Sequence, residues 1–177
     1  MPVSLRANTN MSPKGLISLN TYFPRIKEAI MIILKKILCP VDHSECSYLA
    51  LKYAISLALK DKVKIYLMHV VDFRQYDTGI YMFGVMKPSE IDMSKIHADL
   101  LKSLPEGTTD LIEVETIVVE GVPYNEIINT AKEIGADMIV IGTHGRTGLS
   151  HFTMGSVAEK VVRMSPCPVL TVRMPPV

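Results

Sequence analysis

Two clusters of small and polar residues near the C-terminus carry the chemistry this chain is best equipped for. Gly142-Thr143-His144-Gly145-Arg146 is followed by Gly155-Ser156-Val157, with nine residues between Gly145 and Gly155. The apolar run Met138 to Ile141 leads into the first cluster, and Val157, Ala158, Val161, Val162 and Met164 follow the second with helical recurrence. The pattern predicts a glycine-rich loop between a buried strand and a helix N-terminus. Such a terminus presents unpaired N–H groups and a partial positive charge, which suits phosphate. Gly142 and Gly145 would let the backbone come close to a ligand, Gly155 and Ser156 would place N–H groups and a hydroxyl at the helix start, and Arg146 could pair with phosphate oxygens. Two commoner phosphate motifs do not fit. The dinucleotide fingerprint needs Gly-x-Gly-x-x-Gly after a first strand, whereas Gly142, Gly145 and Gly148 are spaced by threes much later in the chain. Gly79 and Gly84 have the spacing of half a Walker loop, but Val85-Met86 stands where Lys and Ser/Thr are required.

Other reactive side chains are weaker candidates. His144 and His151 share the long loop, yet no Cys, Asp or Glu lies within it to complete a metal site, so both read as histidines near phosphate or exposed to solvent. His43 beside Asp42 suggests an acid–base pair, but no nucleophile accompanies it and Ser44 is explained as a helix cap. Asp42 has two open readings: acceptor for ribose hydroxyls at a strand end, or cap of the following helix. The three cysteines, Cys39, Cys46 and Cys167, are odd in number and form no C-x-x-C pair, which argues against a disulfide framework and a zinc site and for a reducing cytoplasm. A net charge of +1, no Trp and only 4 Phe give no reason to expect nucleic acid or an anionic membrane as partner. The apolar run Ala29 to Leu34 is far shorter than the roughly 20 residues of a membrane span.

The elements that must position these residues are legible from residue 31 onward. Residues 1–30 lack sustained periodicity and read as a flexible extension, with 31–177 as the nucleotide-binding domain. Ile37 to Val41 is a short strand, and Leu49, Ala50, Tyr53, Ala54, Leu57 and Ala58 fall on one face of a helix behind Ser44. Val63 to Val71 is a second strand. Phe73 to Ser89 is open between a lid and a surface loop. A helix is expected from about Ser89 to Leu104, burying Ile91, Ile96 and Leu100. Ile112 to Val119 makes the third strand, Pro123 opens a helix that Gly135 ends, Met138 to Ile141 is the fourth strand and Pro168 to Val172 the last. Five strands alternating with four helices predict an α/β fold: an open, doubly wound parallel sheet, Rossmann-like, with helices on both faces. Ligands of such sheets bind beyond the carboxyl ends of the strands, where Pro40, Val41, Asp42, Val70, Val71, Asp72, Glu120, Gly121 and the Gly142 loop are found.

From about Lys36 to Arg173 the chain resembles the universal stress proteins, specifically their ATP-binding branch. The motifs that carry the likeness are Lys36-Ile37-Leu38-Cys39-Pro40-Val41-Asp42, His69-Val70-Val71-Asp72, Glu120-Gly121-Val122-Pro123, and Gly142-x-x-Gly145 completed by Gly155-Ser156-Val157. The resemblance implies strand order 3-2-1-4-5 and homodimers formed by pairing the last strands, Val169 to Arg173, edge to edge. It implies an adenine and ribose site at Pro40, Val41, Asp42, Val70, Glu120 and Gly121. It also implies a phosphate site at Gly142, His144, Gly145, Arg146, Gly155, Ser156 and Val157. The ligand would be ATP, or ADP or AMP, with Mg²⁺ as an optional companion. Two positions depart from the family pattern: Glu120 replaces a residue that is often apolar near the base, and Ala158 replaces a frequent hydroxyl. The function implied is a nucleotide-dependent stress-response switch acting through protein partners, with no catalytic residues assigned and at most slow ATP hydrolysis. A slow ATPase or nucleotidyl transferase, and a nucleotide-free interaction module, are the rival readings.

Overall fold

Runs of β-branched and apolar residues alternate with capped helices along the chain, and the computed structural model describes residues 33–72, 92–145 and 154–175. The chain divides between Ile33 and Leu34 into two units. Residues 1–30, the loop 73–89, Arg146 and His151 lie outside the described residues. The second unit contains β1 (Lys36–Pro40), α1 (Glu45–Asp61), β2 (Lys64–Val71), α2 (Met93–Lys102), the single turn α3 (Thr108–Leu111), β3 (Val114–Glu120), α4 (Pro123–Ile134), β4 (Met138–Gly142), α5 (Ser156–Met164) and β5 (Val169–Val172). Among the described residues the strands form one parallel sheet in the order β3-β2-β1-β4-β5. Ile37 of β1 pairs with Ile65 of β2 on one side and Met138 of β4 on the other. β1 is therefore central, and the chain reverses direction across the sheet between β1 and β4, the place where open sheets bind ligands.

Period-two alternation sends each strand's side chains into two separate cores. Ile37, Cys39, Ile65, Leu67 and Val140 face one side, packed with Ala50, Leu51, Ala54, Ile55 and Ala58 of α1 and Leu100 of α2. Leu38, Tyr66, Met68, Ile139 and Ile141 face the other, packed with Ile127 and Ala131 of α4 and Ala158 and Val161 of α5. Burial on both faces explains why the central strands read as continuous apolar runs.

The helices differ from expectation in which residues they bury. In α1 the buried positions include Ala50, Leu51, Ala54, Ile55 and Ala58, while Tyr53 is 52% exposed. This helix carries apolar residues most of the way round, so periodicity did not single out the face where small alanines allow close approach to the sheet. In α5, Ala158 and Val161 are buried but Val162 and Met164 stay about half exposed. α2 starts after its cap Asp92, which accepts from the N–H groups of Ser94 and Lys95, and the turn α3 behind Gly107 was not foreseen. At α4 the expected Pro123 opens the first turn, and Gly135 closes the helix at φ 60°, a left-handed cap that a residue with a Cβ adopts only with strain.

Candidate functional site

The carboxyl end of β1 is built around Asp42. The Val41 N–H donates to Met68 O at 2.8 Å, the last bond of the strand, and the Val41 side chain goes into the core. Asp42 Oδ1 then accepts from the Ser44 N–H at 3.0 Å and the Ser44 hydroxyl at 2.6 Å. Ser44 Oγ in turn accepts from the Ser47 N–H at 3.2 Å, making Ser44 the N-cap of α1. Ser44 is therefore the cap, and Asp42 braces it. His43, between them, sits at φ 67° with Nδ1 2.9 Å from the Tyr48 hydroxyl. Its ring centroid is 4.8 Å from that of His69, whose Nδ1 donates to Val41 O at 2.7 Å.

The carboxyl end of β4 is tied to its surroundings by the backbone of Thr143. Its N–H donates to Val172 O at 2.8 Å, and its carbonyl accepts from the Gly155 N–H at 2.7 Å. One residue thereby links the end of β5 to the start of α5. The glycines nearby come close to other groups, and at Gly142 the neighbour is backbone. A Cβ on Gly142 would lie 2.9 Å from the Cys46 carbonyl carbon, and one on Gly145 would lie 2.5 Å from Asp42 Oδ2. A Cβ on Gly155 would approach Thr143 O to 3.0 Å. Gly155 is the N-cap of α5 and offers no side-chain hydrogen bond to the helix start. Among the described residues the first-turn N–H groups therefore have no side-chain acceptor of the kind that Ser44 gives α1.

These ends surround a cleft of about 620 Å³. Pro40 and Asp42 come from β1, Ser47 from α1, and Val70 and Asp72 from the end of β2. Pro123 and Ile127 of α4 also line the cleft, and Ile141, Gly142, Thr143, His144 and Gly145 run along β4 and its loop. Gly155, Ser156, Val157 and Ala158 close it at the start of α5. Of the residues singled out in the sequence, Pro40, Asp42, Val70, Gly142, His144, Gly145, Gly155, Ser156 and Val157 meet in this cleft. Val41, Glu120 and Gly121 do not line it. Val41 is taken by the core, and Glu120 is exposed at the end of β3. Gly121, at φ 150°, donates its N–H to Val71 O and lies against the Glu126 side chain.

Seven lining residues were given no binding role from sequence, although Asp72 was placed at the crevice: Ser47, Asp72, Pro123, Ile127, Ile141, Thr143 and Ala158. Asp72 and Ile141 stand at strand ends, where the rule for open sheets points. Thr143 lies between two glycines that were assigned. Ile127 looked like an ordinary core residue, and only the crossing of α4 over the sheet brings it to the cleft wall. Thr143 also supplies a hydroxyl, 2.9 Å from His144 Nδ1, in a cleft where Ala158 offers none.

The donor set fits a phosphorylated ligand: three glycines at close approaches, a helix start without a side-chain cap, and hydroxyls from Thr143 and Ser156. Among the described residues no group of three or more His, Cys, Asp or Glu side chains could hold a metal ion. In the core packed against α1, full burial pushes the Cys39 thiol up to about 12, so it stays protonated at neutral pH.

The model of the universal stress protein family matches residues 34–173. The chain is 36% identical over 142 residues to the universal stress protein MJ0531 of Methanocaldococcus jannaschii, an alignment covering 80% of this chain and 83% of that protein. It superposes on the solved structure of MJ0577, a universal stress protein of the same organism, with a TM-score of 0.69 at 30% identity, covering 82% of this chain and 100% of the other. It shares its fold with a universal stress protein from Archaeoglobus fulgidus solved in complex with dAMP, at a TM-score of 0.53 and 23% identity over 80% of this chain and 99% of that one. With the sheet order, the cleft and the glycine spacing all in agreement, this chain belongs to the universal stress protein family.

Proposed function

We propose that the protein binds ATP or a related adenine nucleotide in the cleft and acts as a nucleotide-dependent switch in stress signalling. The observation that carries this reading is the convergence of Gly142, Gly145, Gly155 and Ser156 with Asp42 on one cleft at the reversal of strand order. The phosphates rest against the start of α5 and the Gly142 loop, with Arg146 as a further phosphate ligand, and Asp42 accepts from the ribose hydroxyls. A bound triphosphate would bring Mg²⁺ as a companion that would supply charge neutralisation. The family's fold also accommodates dAMP in the Archaeoglobus fulgidus protein. Nucleotide occupancy then biases the order of the loop and so the binding of protein partners.

The working form is a homodimer in the cytoplasm, paired through the free edge of β5, with residues 1–30 as an extension outside the nucleotide-binding domain. No helix among the described residues is long and apolar enough to cross a membrane. Isothermal titration of the purified protein with ATP and Mg²⁺ tests the reading. Saturable binding is expected, weakened at least about tenfold by Ser156→Ala with Gly142→Ala. Absence of binding at millimolar nucleotide overturns it.

A further inference from the structure

Two carboxylates line the cleft, and the structure gives them different work. Asp42 already accepts from the backbone and hydroxyl of Ser44, and its Oδ2 faces Gly145 in the loop. Asp72 follows β2, two strands from β4 in the order β2-β1-β4. At about 4.8 Å per strand this puts it roughly 10 Å from the Gly142 strand, at the far end of the cleft from the glycines. The apolar side chains Val70, Pro123 and Ile127 line the same cleft. Apolar lining can take the flat face of a base, and a few placed polar groups then orient it.

Asp72 is only 6% exposed although it lines the cleft. The nearby Val71 carbonyl already accepts from the Gly121 N–H at 3.0 Å, so the side chain of Asp72 is the stronger acceptor at that end. A carboxylate has about four lone-pair sites, so it can keep a contact within the protein and accept one more donor.

We propose, resting on the nucleotide reading above, that Asp72 reads the base by accepting a hydrogen bond from the exocyclic amino group of the purine. Its role is specificity, separate from the phosphate grip at Gly142 and Ser156. The test compares ATP with purine riboside 5′-triphosphate, which carries hydrogen in place of the amino group and is otherwise the same ligand. Titration of the wild-type protein should favour ATP at least about tenfold, the range of a hydrogen bond to a charged group. Asp72→Ala should bring the two affinities close together. Asp72→Asn, which keeps the shape and a weaker acceptor, should fall between.

The ratio of the two affinities is what matters, because general loosening of the cleft would weaken both ligands alike. A wild-type ratio near one, or a ratio unchanged in Asp72→Ala, overturns the proposal. If Asp72→Ala does not fold, an unchanged ratio in folded Asp72→Asn does the same. Failure of the wild type to bind either triphosphate would instead overturn the nucleotide reading itself.

Discussion

Gly142 and Gly145 stand three residues apart in one loop, and the structure gives them different sensitivities. A methyl group at Gly142 meets the backbone of Cys46, which cannot move without shifting the first turn of α1. Gly142→Ala should therefore destabilise the fold by about 1–3 kcal/mol, the usual cost of overpacking, measured by urea unfolding. A methyl group at Gly145 meets only the end of the Asp42 side chain. Gly145→Ala should cost less than about 1 kcal/mol in stability while weakening nucleotide binding about tenfold, because the displaced carboxylate is one of the proposed contacts.

Cys39 makes a prediction about pH at the same scale. Its thiol ionises near 9.0 in the unfolded chain and near 12 in the buried strand. Below the lower value both states keep the proton. Between the two only the unfolded chain releases it, so stability falls as pH rises through that window. Cys39→Val removes this source of alkaline destabilisation, and urea midpoints measured at neutral and alkaline pH should decline less steeply in the variant.

Among the elements, α1 depends on a cap that also serves the cleft. Ser44 Oγ accepts from Ser47 N–H and its hydroxyl donates to Asp42. Ser44→Ala should cost about 1 kcal/mol as a lost N-cap, seen as a lower thermal midpoint. It should also weaken nucleotide binding, because Asp42 loses the hydroxyl that orients it. Ser44→Asp restores an acceptor for Ser47 but places a second carboxylate beside Asp42. It should recover stability without recovering binding, which separates the two roles of the residue. α5 shows the opposite arrangement, since Gly155 caps without a side chain and leaves its first turn available to a ligand.

For the molecule as a whole, β5 is the sheet edge where association is expected. The carbonyls of Pro168 and Val172 accept from Ile139 and Thr143, so these residues point toward β4. By alternation Thr171, paired in register with Ile141, points its N–H away from β4. Thr171→Pro removes an outward donor and leaves the ladder to β4 in place. Sedimentation velocity should show a shift from dimer to monomer with little change in circular dichroism. A dimer that survives this substitution excludes β5 pairing as its basis.

The strands, their order of appearance and the glycine loop were legible in the sequence because each depends on local pattern: apolar runs, caps at Ser44 and Gly135, and a glycine spacing that fits a phosphate. The same local signals misread α1, where Tyr53 and Ala54 are both apolar but only contact with the sheet decides which is buried. They could not assign Ile127 to the cleft, since α4 is brought beside the Gly142 loop only by the crossovers of the doubly wound sheet. They pointed to Val41, which the core claims instead, because a strand's final side chains alternate between core and crevice and the register decides which goes where. The sequence by itself determined the glycine spacing from which a phosphate loop is expected. The tertiary structure decided which residues share the cleft with that loop, because parallel neighbours in a sheet are far apart along the chain and meet only when the sheet is assembled.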